Sequence, residues 1–535
     1  MNRPPTGWRT VWLAMRTWRT AAVSLLSFSS GLPLGLVWIA IPTWLAQEHV
    51  DIKLIGLFTL AQAPWTFKFL WSPLMDRFAA PVPNAGRKLG WAFLMQLVLF
   101  GLTLVLAGVP FRPEVIWIVG SLTLAMAFAS ASQDIAIDAY AVEVLHPDEQ
   151  GAAVGARIAL YRAAMFVAGG LAITLAGRWS WPAVFVLLAF LYLPMIAVTW
   201  LAPRSDYDQV APPPSLRAAV WDPFVSFLSV HRALEILAFV ILYKLSDNLA
   251  TALIRPFLVQ MGFDNVDVGV ATATIGLFAT LAGTLLGGLF TTAWGLGHAL
   301  WFFGALQILA NLGYVAVADV GVNRPLMYSA MGFESLTTGM GTGAFSVLLL
   351  RMTQKRFSAT QYALFSSLFA VPRLLSGPVT GVLVDAVGWR NFFLLTIAAG
   401  VPGLILLQRF SPLGTREPAF AVEAVRAVLP LGRSALAARA LIGGMIGFLG
   451  GAVAVAMLAA MRRVHARPGE GFDLLSPLAA FFLPHTAAGW FQFLGVVLFG
   501  SVIALATAAS YVARSGGTAI SSSRNDLKNI LKSMR

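Results

Sequence analysis

The sequence predicts an all-α polytopic membrane protein, and three observations carry that reading. Of 535 residues, 58% are hydrophobic and 11% are charged, with mean hydropathy +0.76; a soluble domain carries about 25% charged residues. The apolar residues run in blocks of about 20, the length of a bilayer-crossing helix, rather than in the short alternation of a membrane β-barrel. Basic residues gather in alternate loops, as they do where loops stay on the cytoplasmic side. The net charge of +13 therefore reports orientation and gives no sign of nucleic-acid binding. With no cysteine, disulfides, thiolate metal sites and a cysteine nucleophile are excluded.

Residues 1–19 hold four arginines and no short apolar core with a small-residue cleavage site. They read as a cytoplasmic N-terminal tail before a retained first helix. Six apolar spans follow, over 20–46, 54–76, 89–109, 115–145, 153–176 and 181–202, making an N-terminal six-helix bundle over 20–202. Asp206, Asp208 and Pro212-Pro213-Pro214 mark 203–232 as a cytoplasmic central loop. Six more spans, 233–261, 267–291, 297–318, 326–350, 359–386 and 390–410, make a C-terminal six-helix bundle over 233–410. A basic cytoplasmic linker, 411–434, leads to two additional transmembrane helices within 435–513, near 436–461 and 488–513, and then to a cytoplasmic tail, 514–535. The expected total is 14 helices, as 6+6 plus two.

Loop charge supports both termini inside. Arg77, Arg87 and Lys88, then Arg351, Lys355 and Arg356, then Arg409, Arg416, Arg426, Arg433 and Arg439 all fall on one side. The other side holds scattered cations such as Lys53, Arg112, Arg178, Arg324 and Arg390; Arg462, Arg463 and Arg467 run against the trend. In the tail, Leu527, Ile530, Leu531 and Met534 keep helical spacing, which fits a membrane-surface helix or a disordered tail.

Charges inside the spans are few. Ser130, Asp134 and Asp138 fall one above another on one face of the fourth span. A charge at mid-membrane costs from about 3 to more than 10 kcal/mol and so faces a cavity, a partner or a transport path; the competing reading puts both aspartates near a helix end in headgroup water. Lys244 and Asp247 of the seventh span stand three apart and pair across a turn. The tenth span has Glu334 near Gly339-Met-Gly-Thr-Gly343, and the first has Ser27, Ser29, Ser30 and a Gly31-Leu-Pro33 interruption. Lys68, Arg162 and Arg373 flank these groups, and Arg157 and Arg255 read as interhelical salt-bridge or snorkelling residues.

Two six-helix halves around a long central loop resemble the major facilitator superfamily of secondary transporters, whose substrate site lies near mid-membrane between the halves. Ser72-Pro73-Leu74-Met75-Asp76-Arg77 followed by Gly86-Arg87-Lys88 is similar to that superfamily's loop signature. The resemblance implies gating and topology roles for Asp76, Arg77, Arg87 and Lys88, although plain positive-inside anchoring explains the cations equally well. The matching loop of the second half, Thr291 to His298, lacks the charges, and Gly381-Val-Leu-Val-Asp385 is a weak echo elsewhere. In this superfamily the first, fourth, seventh and tenth spans line the cavity, which would bring the buried charges together there.

The resemblance sharpens further. Ser132-Gln-Asp-Ile-Ala-Ile-Asp-Ala-Tyr140 is similar to the fourth-span signature of the AmpG-type anhydromuropeptide permeases. Residues 67–77, Tyr243-Lys-Leu-Ser-Asp247, Gly332-Phe-Glu-Ser335 with Gly339-Met-Gly-Thr342, and Ser358-Ala-Thr-Gln-Tyr-Ala-Leu364 leading to Arg373 fit the same family in order. The similarity covers roughly residues 20 to 410; Pro372 departs from it, since a small residue is expected there. It implies proton-coupled import of anhydromuropeptides across the bacterial inner membrane for wall recycling, with a link to β-lactamase induction. The implied partners are a disaccharide-peptide, protons and the lipid bilayer, with a monomer as the working unit and no cofactor, metal or nucleic acid.

Such cargo presents hydroxyls, amides, a carboxylate and an ammonium, so its cavity needs both signs of charge and side-chain hydrogen bonds. Lys68 or Lys244 would meet the carboxylate, with Asp247, Glu334 and Arg373 completing the charged lining; Gln133, Asn248, Gln361 and Trp38 would contact sugar and amides. Asp134 and Asp138 are the candidate proton carriers, because two carboxylates a turn apart in a dry site resist ionising together. Rival readings are a related carrier of an acetyl-CoA-like or siderophore-linked substrate, disfavoured for the polyanion by the few cavity arginines, and a non-transporting membrane sensor or partner subunit, which would not keep costly buried carboxylates. An enzyme is disfavoured. There is no metal-ligand cluster, no nucleophile beside a base and no phosphate-cradling glycine loop, and the histidines fall at span ends or in loops.

Overall fold

The computed structural model describes residues 7–51, 54–55, 58–82, 86–110, 115–230, 232–418, 433–466 and 472–514. The tail around Leu527, read as a membrane-surface helix or a disordered tail, and most of the 411–434 linker lie outside these residues. By packing, the chain divides into two units. One comprises Met1–Ala219, Ala238–Ser376 and Trp389–Ala419, and the other Val220–Leu237, Gly377–Gly388 and Phe420–Arg535.

Among the described residues the structure is helical, and eleven helices are long and apolar enough to cross a membrane. In the first half these are α2 (Trp18–Gln47), α3 (Arg87–Gly108), α4 (Ile116–Val144), α5 (Pro147–Ala176) and α6 (Trp181–Leu201). A short α1 (Trp8–Met15) precedes them and α7 (Leu216–Leu228) follows. Then come α8 (Ala233–Gln260), α9 (Asn265–Trp294), α10 (Leu296–Val320), α11 (Arg324–Met352) and α12 (Ser358–Phe410). The chain ends in α13 (Arg433–Ala466), α14 (Leu475–Phe482) and α15 (Ala487–Arg514).

The expected spans over 54–76, 326–350 and 359–386 are not among the eleven, which are counted over the described residues alone. The first is broken into Ala63–Phe67, a tight turn at Lys68–Leu70, and Ser72–Arg77, with Pro64 and Pro73 each entering a helical start where a missing N–H is tolerated. The second, α11, is continuous but rich in Gly, Ser and Thr. The third is the first part of α12, which turns at Gly388 (φ 76°) before its second part, since that left-handed backbone suits a residue without Cβ. Two segments expected to be loops hold helices instead. In the tail, α1 buries Val11 and Ala14 and exposes the apolar Trp8, Trp12 and Met15; the central loop contains α7.

Small residues set the closest helix approaches, as expected where lipid supplies no hydrophobic driving force. A Cβ on Gly288 of α9 would come within 2.3 Å of the Gly151 carbonyl oxygen of α5, so these two helices, one from each half, touch backbone to backbone. In the second unit α13 and α15 meet through Gly443, Gly447 and Gly500, and Phe448, Phe481 and Phe493 pack beside Ala452 and Val496.

Candidate functional site

On α4 the helical period places Ser130, Asp134 and Asp138 on one face, and all three are buried. Asp138 is held between two cations. Lys68 Nζ lies 3.2 Å from Oδ2, and Arg157 of α5 pairs with Oδ1 while also donating to Ser27 of α2 at 3.2 Å. The break at Lys68–Leu70 is what turns Lys68 inward, where it is 8% exposed. Asp134 Oδ1 and Ser130 Oγ are buried with no hydrogen-bond partner. Tyr362 of α12 faces the Arg157–Asp138 pair from the second half.

A second cluster is built in the C-terminal half. The Lys244 ammonium donates to Asp247 Oδ2 (3.0 Å), the Thr338 carbonyl (3.1 Å) and the Gln307 side chain, so three helices converge on it. Thr338 Oγ1 sits 2.5 Å from Asp247 Oδ1 and 2.8 Å from Glu334 Oε1. The Tyr314 hydroxyl donates to Glu334 Oε2 at 3.0 Å. The pairing of Lys244 with Asp247 is the one-turn contact that their spacing predicts.

The other expected cargo contacts are placed differently. Gln133 donates to Ser29 (3.0 Å) and Ser30 (3.4 Å), tying α4 to α2. Asn248 donates to its own helix at the Lys244 carbonyl (2.8 Å). Gln361 accepts the Gln354 backbone N–H (2.8 Å) and so braces the turn between α11 and α12. Arg373 is exposed and close enough to Arg162 for the two charges to repel. Trp38 meets Trp65 edge to face at 5.9 Å, and both indole N–H groups are buried without an acceptor. Trp65 is not singled out by sequence reasoning, whereas Arg157, read there as an interhelical salt-bridge or snorkelling residue, forms such a bridge from α5 to Asp138 of α4.

The four gating candidates converge at one end of the bundle. Asp76 is fully buried, pairs with Lys88 at 2.5 Å and accepts three hydrogens from the start of α12: Ala359 N–H (3.1 Å), Thr360 N–H (2.9 Å) and Thr360 hydroxyl (2.7 Å). A carboxylate of the first half thereby caps a helix of the second, where the helix dipole favours a negative charge. Arg87 donates to the Asp76 and Val210 carbonyls (3.2 and 2.7 Å) and Arg77 to the Pro213 carbonyl (2.7 Å), fastening the central loop. The equivalent turn of the second half uses backbone instead of charge: Gly297 N–H donates to the Arg416 carbonyl (2.8 Å).

Further bonds between the halves lie at the same end. Ser358 donates to Glu143 Oε1 (2.6 Å), Lys355 to the Glu143 carbonyl (3.0 Å), and Arg351 to Gln150 and the Pro147 carbonyl (2.8 Å). Burial lowers the Lys355 ammonium from its ordinary value, with Glu143 opposing. This end is closed.

Comparison with known proteins agrees with the geometry. Residues 23–377 match the family model described as Major Facilitator Superfamily. The anhydromuropeptide permease of Escherichia coli strain K12 is 42% identical over 391 residues, covering 73% of this chain and 79% of that protein. A Haemophilus influenzae protein is 34% identical, covering 72% and 93%, and a Rickettsia bellii protein named putative transporter AmpG 1 is 28% identical, covering 72% and 96%. Among solved structures, a bacterial homologue of the iron transporter ferroportin in an outward-facing state superposes with TM-score 0.53 at 14% identity, covering 73% of this chain and 98% of that one. The human organic anion transporter MFSD10 gives TM-score 0.51 at 17% identity, covering 76% and 100%. At those identities the two structures speak for the fold alone. With most of its length matched to the superfamily and to a relative at 42% identity, the chain belongs to the AmpG-type anhydromuropeptide permease family of the major facilitator superfamily.

Proposed function

We propose that this protein imports anhydromuropeptides across the bacterial inner membrane by proton symport, moving the cargo without altering it chemically. The observation that carries the reading is the 42% identity to a relative named anhydromuropeptide permease. The buried clusters supply the chemistry such cargo requires. Around Asp138 stand two cations, Lys68 and Arg157, and two carboxyl groups, Asp138 and Asp134. With both aspartates ionised the four charges cancel. A proton on Asp134, whose Oδ1 has no partner, leaves one positive charge in excess, and that charge attracts the carboxylate of a peptide stem. Proton and anionic cargo then favour each other's binding, which is the linkage a symporter needs. Trp38 and Trp65 offer apolar faces and free indole donors for a sugar ring.

In this reading the bundles 20–202 and 233–410 are the moving halves, joined by 203–232. The linker 411–434 tethers the helices of 435–513 and the tail 514–535. Both termini are cytoplasmic, so the end sealed by Asp76 and Glu143 faces the cytoplasm, and one copy suffices for transport. The test is uptake of labelled anhydromuropeptide into membrane vesicles, with and without an imposed pH gradient, for the wild type and Asp138→Asn. Gradient-dependent uptake that collapses in the variant supports cargo and coupling together. No uptake by a well-folded wild type sinks the muropeptide assignment.

A further inference from the structure

The C-terminal cluster contains two carboxyl groups that share one hydroxyl. Thr338 Oγ1 stands 2.5 Å from Asp247 Oδ1 and 2.8 Å from Glu334 Oε1. A threonine hydroxyl has a single hydrogen and two acceptor lone pairs, so it donates to one carboxylate only. If both carboxyls were ionised, the second contact would set a lone pair of Thr338 against a negatively charged oxygen in a buried site. A proton on one carboxyl, donated to Thr338, satisfies both contacts at once.

Lys244 decides which one. Its three hydrogens go to Asp247 Oδ2, Gln307 and the Thr338 carbonyl, so its charge is spent on Asp247. Glu334 forms no ion pair within the described residues; its other oxygen receives the neutral hydroxyls of Tyr314 (3.0 Å) and Ser335 (3.4 Å). The groups facing it are Lys244 and Asp247 from α8, Tyr314 from α10 and Thr338 from its own helix. From residue 268 to 294, α9 brings no charged side chain, and Arg157 of α5 is committed to Asp138.

We propose that Glu334 is a second proton-binding site of this permease, separate from the aspartate pair of α4, and that its proton frees the Thr338 hydrogen for Asp247 of α8. The proposal rests on the import reading and extends it to the other half. With Glu334 protonated, the Lys244–Asp247–Glu334 trio is neutral and the chain from the Glu334 O–H to Thr338 to Asp247 is complete. Release of that proton to water leaves Glu334 and Asp247 both anionic and competing for the Thr338 hydrogen, which weakens the Thr338 bond to Asp247 across α8 and α11, while the Lys244 bond to the Thr338 carbonyl remains. Proton occupancy thereby biases the contact between two helices.

The full chain in lipid nanodiscs, followed by infrared spectroscopy, reads the proton directly. The wild type at neutral pH is expected to show a protonated-carboxyl band that is absent from Glu334→Gln, retained in Asp134→Asn and shifted in Thr338→Val, which folds with the carboxyl intact but without its acceptor. In vesicles, Glu334→Gln is expected to lose gradient-driven accumulation by about tenfold more than it loses cargo exchange, within the usual range for coupling between two sites. Because Asp134 can contribute a band of its own, the readout is the difference between wild type and Glu334→Gln: a carboxyl absorption unchanged by Glu334→Gln overturns the proposal, and so does an equal loss of accumulation and exchange. Failure of the wild type to carry muropeptide strikes the import reading instead and leaves the infrared assignment standing on its own.

Discussion

Replacing Asp76 with asparagine should unseal the closed end. The carboxylate accepts three hydrogens from the first turn of α12, and each hydrogen bond to a charged group is worth about 1.5–3 kcal/mol. Asparagine keeps one acceptor oxygen, loses the charge that the helix N-terminus favours, and turns an N–H face toward Lys88. The Lys88 contact lies within the first half and is lost whether the end is open or shut, so it does not bias the equilibrium. Loss of roughly two charged bonds removes about 3 kcal/mol from the closed arrangement, a shift of about 100-fold in the closed-to-open ratio. The chain has no native cysteine, so Ser358→Cys, at a fully buried position beside Glu143, provides a unique reporter. Its rate of modification by a membrane-impermeant maleimide in inside-out vesicles should rise by about 100-fold when Asp76→Asn is added. An unchanged rate would refute the idea that this carboxylate locks the two halves.

Other expectations follow from the same contacts. Asp138→Asn leaves Lys68 and Arg157 buried and uncompensated, which should lower stability by about 3–5 kcal/mol; thermal unfolding in detergent measures it, and adding Lys68→Met should recover part of the loss without restoring uptake. Gly288→Ala places a Cβ 2.3 Å from the Gly151 carbonyl oxygen, so overpacking of about 1–3 kcal/mol should hold α5 away from α9 and raise the labelling of Ser358→Cys as Asp76→Asn does. In the terminal pair, a Cβ on Gly443 would meet Thr507 Oγ1 at 2.1 Å; Gly443→Val should loosen α13 from α15 by about 1–3 kcal/mol, seen as faster limited proteolysis after residue 433.

The sequence by itself determined what helical periodicity and bilayer length control. It located eleven of the fourteen expected spans, stacked Asp134 on Asp138, paired Lys244 with Asp247 and left 387–389 between two spans where the helix turns at Gly388, because each depends on residues within a turn or two of one another. It also identified the family, since short motifs in fixed order survive where individual contacts cannot be read. Where the chain departed from expectation, local chemistry still held the reason. Pro64 and Pro73 sit at the starts of two short helices within 54–76, where a missing N–H is tolerated.

Tertiary structure decided the partners. Arg157 reads in sequence as either an interhelical salt bridge or a snorkelling cation, and its partner, Asp138, is fixed only because α5 crosses α4 at that level. Gln361 reads as a cargo contact and instead braces the turn at Gln354. Asp76 caps α12 by accepting the N–H of Ala359, 283 residues later in the chain, and Thr338 joins Asp247 to Glu334 only because α8 and α11 lie side by side. The physical reason is the same in each case. A helix fixes the direction of its own side chains to within a rotamer, whereas the group that meets a charge across an interface is chosen by how small residues let neighbouring helices approach, and that choice is a property of the packed bundle.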